Sequence, residues 1–273
     1  MADLIAENVS IEIGDAAVVD GASLPLARGE LICLLGPNGA GKTSLIRAMI
    51  GQLSPTTGRV LLDGEAVSEM PADALARRIA YLPQIRPLAW PMRARDVVAL
   101  GRFAYGASPS RLGAEDAAAV ERALSICGLS ELAHRRVDTL SGGEAARVHV
   151  ARALASSADF LIADEPVAAL DPRRQHEVMA LIRAFAKAGG GAICVLHDAA
   201  LAARYADRLA FMRHGRLLAV GPPAETLTPA RFAEVYDLTA EITSPADGAG
   251  ATIRIIDIPD APRNEAAPPI TPS

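Results

Sequence analysis

One stretch restricts the fold of this chain more than any other. An apolar run at residues 30–35 leads into Gly36-Pro37-Asn38-Gly39-Ala40-Gly41-Lys42-Thr43, and a helical stretch follows at 43–50, closed by Gly51. The octapeptide fits G-x-x-x-x-G-K-[ST] set between a strand and a helix. Its glycines let successive backbone N–H groups curl around phosphate oxygens, and the helix N-terminus adds the positive end of its dipole. Lys42 is then placed to reach β- and γ-phosphates, and the Thr43 hydroxyl to ligate Mg²⁺. Lysine occurs only here and at Lys187, in a chain rich in arginine. A compositional bias resisted at Lys42 suggests that a compact ammonium is needed there rather than a planar guanidinium.

The rest of the chain alternates apolar strands with amphipathic helices, which predicts an α/β domain. Strands are expected at 160–163 and 192–196, a hairpin at 211–220 turning at His214-Gly215, and a small antiparallel sheet within 2–27. Between 92 and 143 the pattern becomes helical, including the Ala-rich 114–127, and reads as an inserted helical subdomain. Residues 243–273 form a Pro-, Ala- and Gly-rich tail with one strand-like segment at 252–258, and its last ten or so residues are expected to be mobile.

The apolar run 160–163 ends in Asp164 and Glu165. Strand C-termini of a parallel sheet converge on one crevice, which carries Asp164 toward Thr43 and a metal. Neighbouring side chains on extended backbone point apart, so one acid can serve a metal while the other orients or deprotonates water. A second anion nest is offered by Leu140-Ser141-Gly142-Gly143-Glu144 ahead of a helical run at 145–154. Taken alone, that turn is equally an ordinary helix cap with flexible glycines.

The succession of residues 36–43, Gln84, 140–144, Asp164-Glu165, Asp171 and His197 resembles the ATP-binding-cassette ATPases, over residues 4–242. The resemblance implies a P-loop NTPase with a central mainly parallel sheet, an N-terminal antiparallel β subdomain and a helical subdomain at about 92–143. It implies ATP held by Gly36, Pro37, Asn38, Gly39, Ala40, Gly41, Lys42, Thr43 and Ser44. Ser141, Gly142, Gly143 and Glu144 match the family signature, and Asp171 matches a loop that crosses the dimer interface. Asp164, Thr43 and Gln84 would serve Mg²⁺, Glu165 would act on the attacking water, and His197 would contact the γ-phosphate. A head-to-tail homodimer is implied, with ATP on residues 36–44 of one chain covered by residues 141–143 of the other. The chain departs from the family at Ile13, where an adenine-stacking aromatic is common, at Ala145-Ala146 after the signature, and at Val167, where threonine is common.

Residues 96–102, 197–207 and 215–225 look like the ATPases of importers for iron-siderophore, haem and cobalamin. Such a subunit works with transmembrane permease subunits and, through them, a substrate-binding protein. Residues 86–102, with Trp90, would face the permease, or Trp90 would simply pack within a loop. The alternatives are the ATPase of another importer or an exporter, a non-transport cassette protein in repair or translation, and a catalytically silent ATP-binding subunit. A repair protein would need a long coiled coil, for which 92–143 lacks both length and heptads. Glu165, Gln84 and His197 speak against a silent subunit.

A net charge of −5 supplies no basic field for nucleic acid or an anionic membrane. With no signal sequence and no apolar run near the roughly 20 residues a spanning helix needs, the chain is expected at the cytoplasmic face of the inner membrane, as a peripheral subunit. Cys33, Cys127 and Cys194 are too sparse for a disulfide or zinc framework and read as buried thiols.

Overall fold

The computed structural model describes residues 4–84, 91–243 and 250–258; Trp90 and the end of the tail lie outside them. Two long strands, β1 (Leu4–Ile13) and β2 (Ala16–Leu26), precede β3 (Leu31–Leu35) and α1 (Lys42–Met49). Then come β4 (Thr57–Leu62), β5 (Glu65–Ala66), α2 (Ala72–Arg78) and β6 (Ile79–Leu82). Three helices follow: α3 (Ala94–Ala99), α4 (Ala114–Ile126) and α5 (Gly142–Ala155). The chain re-enters the sheet through β7 (Phe160–Asp164), α6 (Pro172–Lys187), β8 (Gly191–Val195), α7 (Ala199–Tyr205) and β9 (Arg208–Arg213). It closes with β10 (Arg216–Gly221), α8 (Pro223–Thr226), α9 (Pro229–Tyr236), β11 (Thr239–Thr243) and β12 (Thr252–Asp257).

The main sheet has six strands in the order β10-β9-β3-β8-β7-β6, parallel except for the β9–β10 hairpin. Every residue of β3, β7 and β8 is buried, as expected of unbroken apolar strands covered on both faces. Alternate residues serve two cores. Leu31, Cys33, Leu35, Leu161, Ala163 and Cys194 face Val97 and Val98 of α3, Val120 of α4, Val148 of α5 and Ile182 of α6. On the other face, Ile32, Leu34, Ile162, Ile193 and Val195 meet Leu45 and Ile46 of α1 and the antiparallel strands' Leu4, Val19 and Leu24. At eight residues, α1 is below the roughly 12–15 at which isolated helices become marginal. Burial of Leu45 and Ile46, roughly 1.5–3 kcal/mol each, holds it on the sheet.

The second sheet is antiparallel, in the order β2-β1-β4-β5. Its first two strands lie within the expected 2–27, whereas β4 returns after α1 to pair with β1. Residues Thr57, Gly58 and Arg59 open β4 exposed, which hides its alternation in the sequence. The β9–β10 hairpin turns at His214 and Gly215, both with positive φ (47° and 79°). The helices α3, α4 and α5 pack on one another, and α5 also reaches β6. In the tail, β12 pairs antiparallel with β11 and sets Ile253 against the helical-side core. All three cysteines are buried and none is in a disulfide. Among the described residues no helix is long and apolar enough to cross a membrane.

Candidate active site

The loops after β3, β6, β7 and β8 leave the main sheet at one end, and they carry the side chains expected to do chemistry. After β3 the chain wraps tightly. A Cβ at Gly36 (φ 151°) would lie 2.0 Å from the Met212 carbonyl oxygen, and one at Gly41 (φ 96°) 2.3 Å from that of Val18. Pro37, Asn38 and Gly39 form the outer rim, while Ala40 is buried and accepts from the Gly215 amide at 3.1 Å. Lys42, only 6% exposed, folds back so that Nζ donates to the carbonyls of Gly36 (2.7 Å) and Pro37 (2.8 Å). Burial lowers its pKa, against the pull of Glu165 and Asp164. Thr43 and Ser44 complete the first turn of α1.

Asp164 ends β7 only 2% exposed. Its Oδ1 is buried without a partner, and the Thr43 hydroxyl meets the carboxylate. Burial raises the Asp164 pKa; the Thr43 hydroxyl opposes that, and the Glu165 charge adds to it. A buried carboxylate oxygen with no donor fits a cation, and the Thr43 hydroxyl, the Asp164 carboxylate and the Gln84 amide oxygen make a hard oxygen set. Among the described residues no three His, Cys, Asp or Glu side chains converge to hold a metal alone. A cation here therefore has to draw further oxygens from water or a bound ligand.

Glu165 takes a left-handed φ of 48°, a conformation that costs of order 1 kcal/mol in a residue with a Cβ. The turn aims its carboxylate across the strand ends. Oε2 accepts from Gln84 Nε2 at 2.6 Å, and Oε1 meets His197 Nε2 at 2.7 Å. Residues 81 and 32 positions from Glu165 are thus gathered on one carboxylate. Tyr81, three residues before Gln84, places its hydroxyl between Arg47 and Asp164, and burial raises its pKa. Sequence reasoning did not assign Tyr81 or Arg47 to the site; they reach it only through the β6–β7 pairing and the α1 surface.

Lys42, Thr43, Gln84, Asp164, Glu165 and His197 therefore come together. Residues 141–144 do not join them. Ser141 caps α5: the Glu144 amide donates to Ser141 Oγ (3.3 Å), and Glu144 Oε2 accepts from the Ser141 amide and hydroxyl at 2.8 Å each. These bonds hold the Glu144 carboxyl below its usual range. Gly142 faces open space, and Gly143 lies against Arg174. Asp171 caps α6, accepting from the Arg174 amide at 3.0 Å. The two glycine-rich turns thus head helices on opposite faces of one sheet, since α1 belongs to one core and α5 to the other. At the β1–β2 turn, Ile13 is 55% exposed, opposite Ala16.

The ABC transporter family matches residues 19–168. The Hemin import ATP-binding protein HmuV of Streptomyces coelicolor is 42% identical over 237 residues, covering 87% of this chain and 84% of that protein. HmuV of Bordetella pertussis is 41% identical over 248 residues, with 88% and 94% covered. Among solved structures, the ADP conformation of MJ1267, an ATP-binding cassette of an ABC transporter, superposes with a TM-score of 0.79 at 25% identity, over 87% of this chain and 99% of that one. CbiO1 from Clostridium perfringens, part of the ABC transporter complex CbiONQ, gives 0.73 at 27% identity, over 85% and 93%.

Proposed function

The chain belongs to the ABC transporter family, and from that premise we propose that it is the ATP-hydrolysing motor of a haem importer. The observation that carries the catalytic half is the Glu165 carboxylate, held by Gln84 on one oxygen and His197 on the other. The cargo half is supported by relatives named for hemin import, matched over most of their length.

In this reading the amides of residues 36–44 cradle the phosphates, and Lys42 leaves the Gly36 and Pro37 carbonyls for the β- and γ-oxygens. Glu165 orients or deprotonates the attacking water, and His197 contacts the γ-phosphoryl group. Thr43, Asp164 and Gln84 would hold Mg²⁺, which when bound spreads the charge developing between the β- and γ-phosphates. Ser141, Gly142 and Gly143 lie across the sheet from Lys42, so they serve the nucleotide of a second copy. A head-to-tail pair then closes on two ATP molecules and opens after hydrolysis. Permease subunits, with a substrate-binding protein beyond them, tie the pair to the cytoplasmic face of the inner membrane.

The test is to capture the tagged full-length chain from native membranes, identify its partners by mass spectrometry, and assay the binding protein for haem. A many-helix permease with a haem-binding partner is expected. Soluble partners alone would overturn transport, and a binding protein that ignores haem would overturn the cargo.

A further inference from the structure

The two glycines that head α5 answer to different demands. A Cβ on Gly142 would meet nothing within 4 Å, whereas one on Gly143 would lie 2.6 Å from Arg174 Cδ, 2.8 Å from Cγ and 2.9 Å from Nε. Gly143 is buried in the first turn of α5 and its φ is not positive, so the close approach of the arginine stem is what excludes a side chain there. Arg174 belongs to the first turn of α6. Its amide donates to the Asp171 cap at 3.0 Å, and its Nη1 donates to Glu177 Oε2 at 2.7 Å. Glu177 Oε1 accepts from Arg173 Nε at 3.1 Å. From α5, one turn beyond Gly143, Arg147 brings Nη1 to 3.9 Å from Glu177 Oε2. One carboxylate of α6 thus lies among arginines of both helices, and the stem of one of them covers the turn that heads α5.

We propose that Arg174 is a positioning residue for the turn at 141–143, its stem bracing Gly143 and its guanidinium held in place by Glu177. This rests on the reading above, in which that turn serves the ATP of a second copy. An i,i+3 ion pair on a helix surface adds little to the stability of the helix, so fastening α6 does not account for the Arg174–Glu177 pair. What the pair fixes is where the stem lies, and with it the angle at which α5 presents Ser141. Misplacing a binding group by about 1 Å can cost about 10²-fold in rate. Arg174 would thus act through Gly143 on a nucleotide held by the other chain, without touching it.

The test uses mixed pairs of full-length chains. A Lys42→Ala chain keeps the turn and loses the phosphate site, and a Ser141→Arg chain does the reverse. The one working site of a mixed pair therefore joins the turn of the first chain to the phosphate loop of the second. Adding Arg174→Ala to the Lys42→Ala chain should lower kcat/KM of the mixture for ATP by about three- to tenfold. Arg174→Lys in the same chain should hold it within about twofold, since the lysine stem and ammonium reach the same two partners. Adding Arg174→Ala to the Ser141→Arg chain instead should leave the mixture within about twofold of its parent, because the turn of that chain is already lost. A loss of equal size in both placements, no loss in the first, or a Lys chain as impaired as the Ala chain would overturn the proposal. A parent mixture without turnover would overturn the shared site itself, and the proposal with it.

Discussion

At the scale of single residues, the proposed chemistry converges on Glu165. Both its oxygens are engaged, by groups that arrive from two other strands, and a left-handed backbone turn aims them. Glu165→Gln keeps the shape and removes the proton acceptor. ATP turnover should fall by about 10²–10⁴-fold, the usual worth of a general base, while nucleotide binding persists; a filter-binding assay beside a phosphate-release assay reads both. Turnover near wild type would show that another group handles the water. Lys42, Asp164 and Glu165 were legible in the sequence because each sits at a fixed offset from a strand end. Tyr81 and Arg47 were not, since their place beside Asp164 depends on which strands and helices become neighbours, and no local spacing encodes that.

At the scale of elements, β3, β7 and β8 announce themselves as unbroken apolar runs because both of their faces are covered. Strands that sequence reading passed over include β4, whose first three residues Thr57, Gly58 and Arg59 are exposed, and β6, only four residues long and preceded by Arg78. More consequential is the placement of α1 and α5 on opposite sides of the sheet. In the proposed reading, the two glycine-rich turns so placed serve the nucleotides of different chains. Lys42→Ala and Ser141→Arg chains should therefore each be inactive alone, yet their mixture should recover up to about a quarter of wild-type turnover. Half of the randomly formed pairs then hold one undamaged site out of two. A mixture as inactive as its components would refute the shared site.

Across the whole molecule, the end of the sheet away from the site is tied by charge. Arg28 pairs with Asp63 and Asp159, and Arg78 with the same two acids, which links the antiparallel sheet to α2 and to the start of β7. Hydrogen bonds from Arg28 and then Arg78, against desolvation, hold the Asp63 carboxyl below its usual range. A depressed carboxyl stabilises the fold above its unfolded pKa of about 3.9, and that contribution is lost as pH falls through the folded value. Asp63→Asn should lower the unfolding midpoint by no more than about 4 °C near neutral pH, as partly exposed pairs contribute about 1 kcal/mol or less. The gap to wild type should stay constant down to about pH 5 and then close; a gap that widens in acid would exclude this account. The same end of the sheet carries Lys187, which is 62% exposed and sits near Asp207, the acid that accepts from the Leu31 amide where β3 begins. Lys42, the chain's one other lysine, is buried at the opposite end of β3. Acylating reagents thus meet a single accessible side-chain amine, so an amine-reactive surface would tether the molecule through Lys187 or its amino terminus, and the Lys187 tether presents the phosphate loop to the bulk solution.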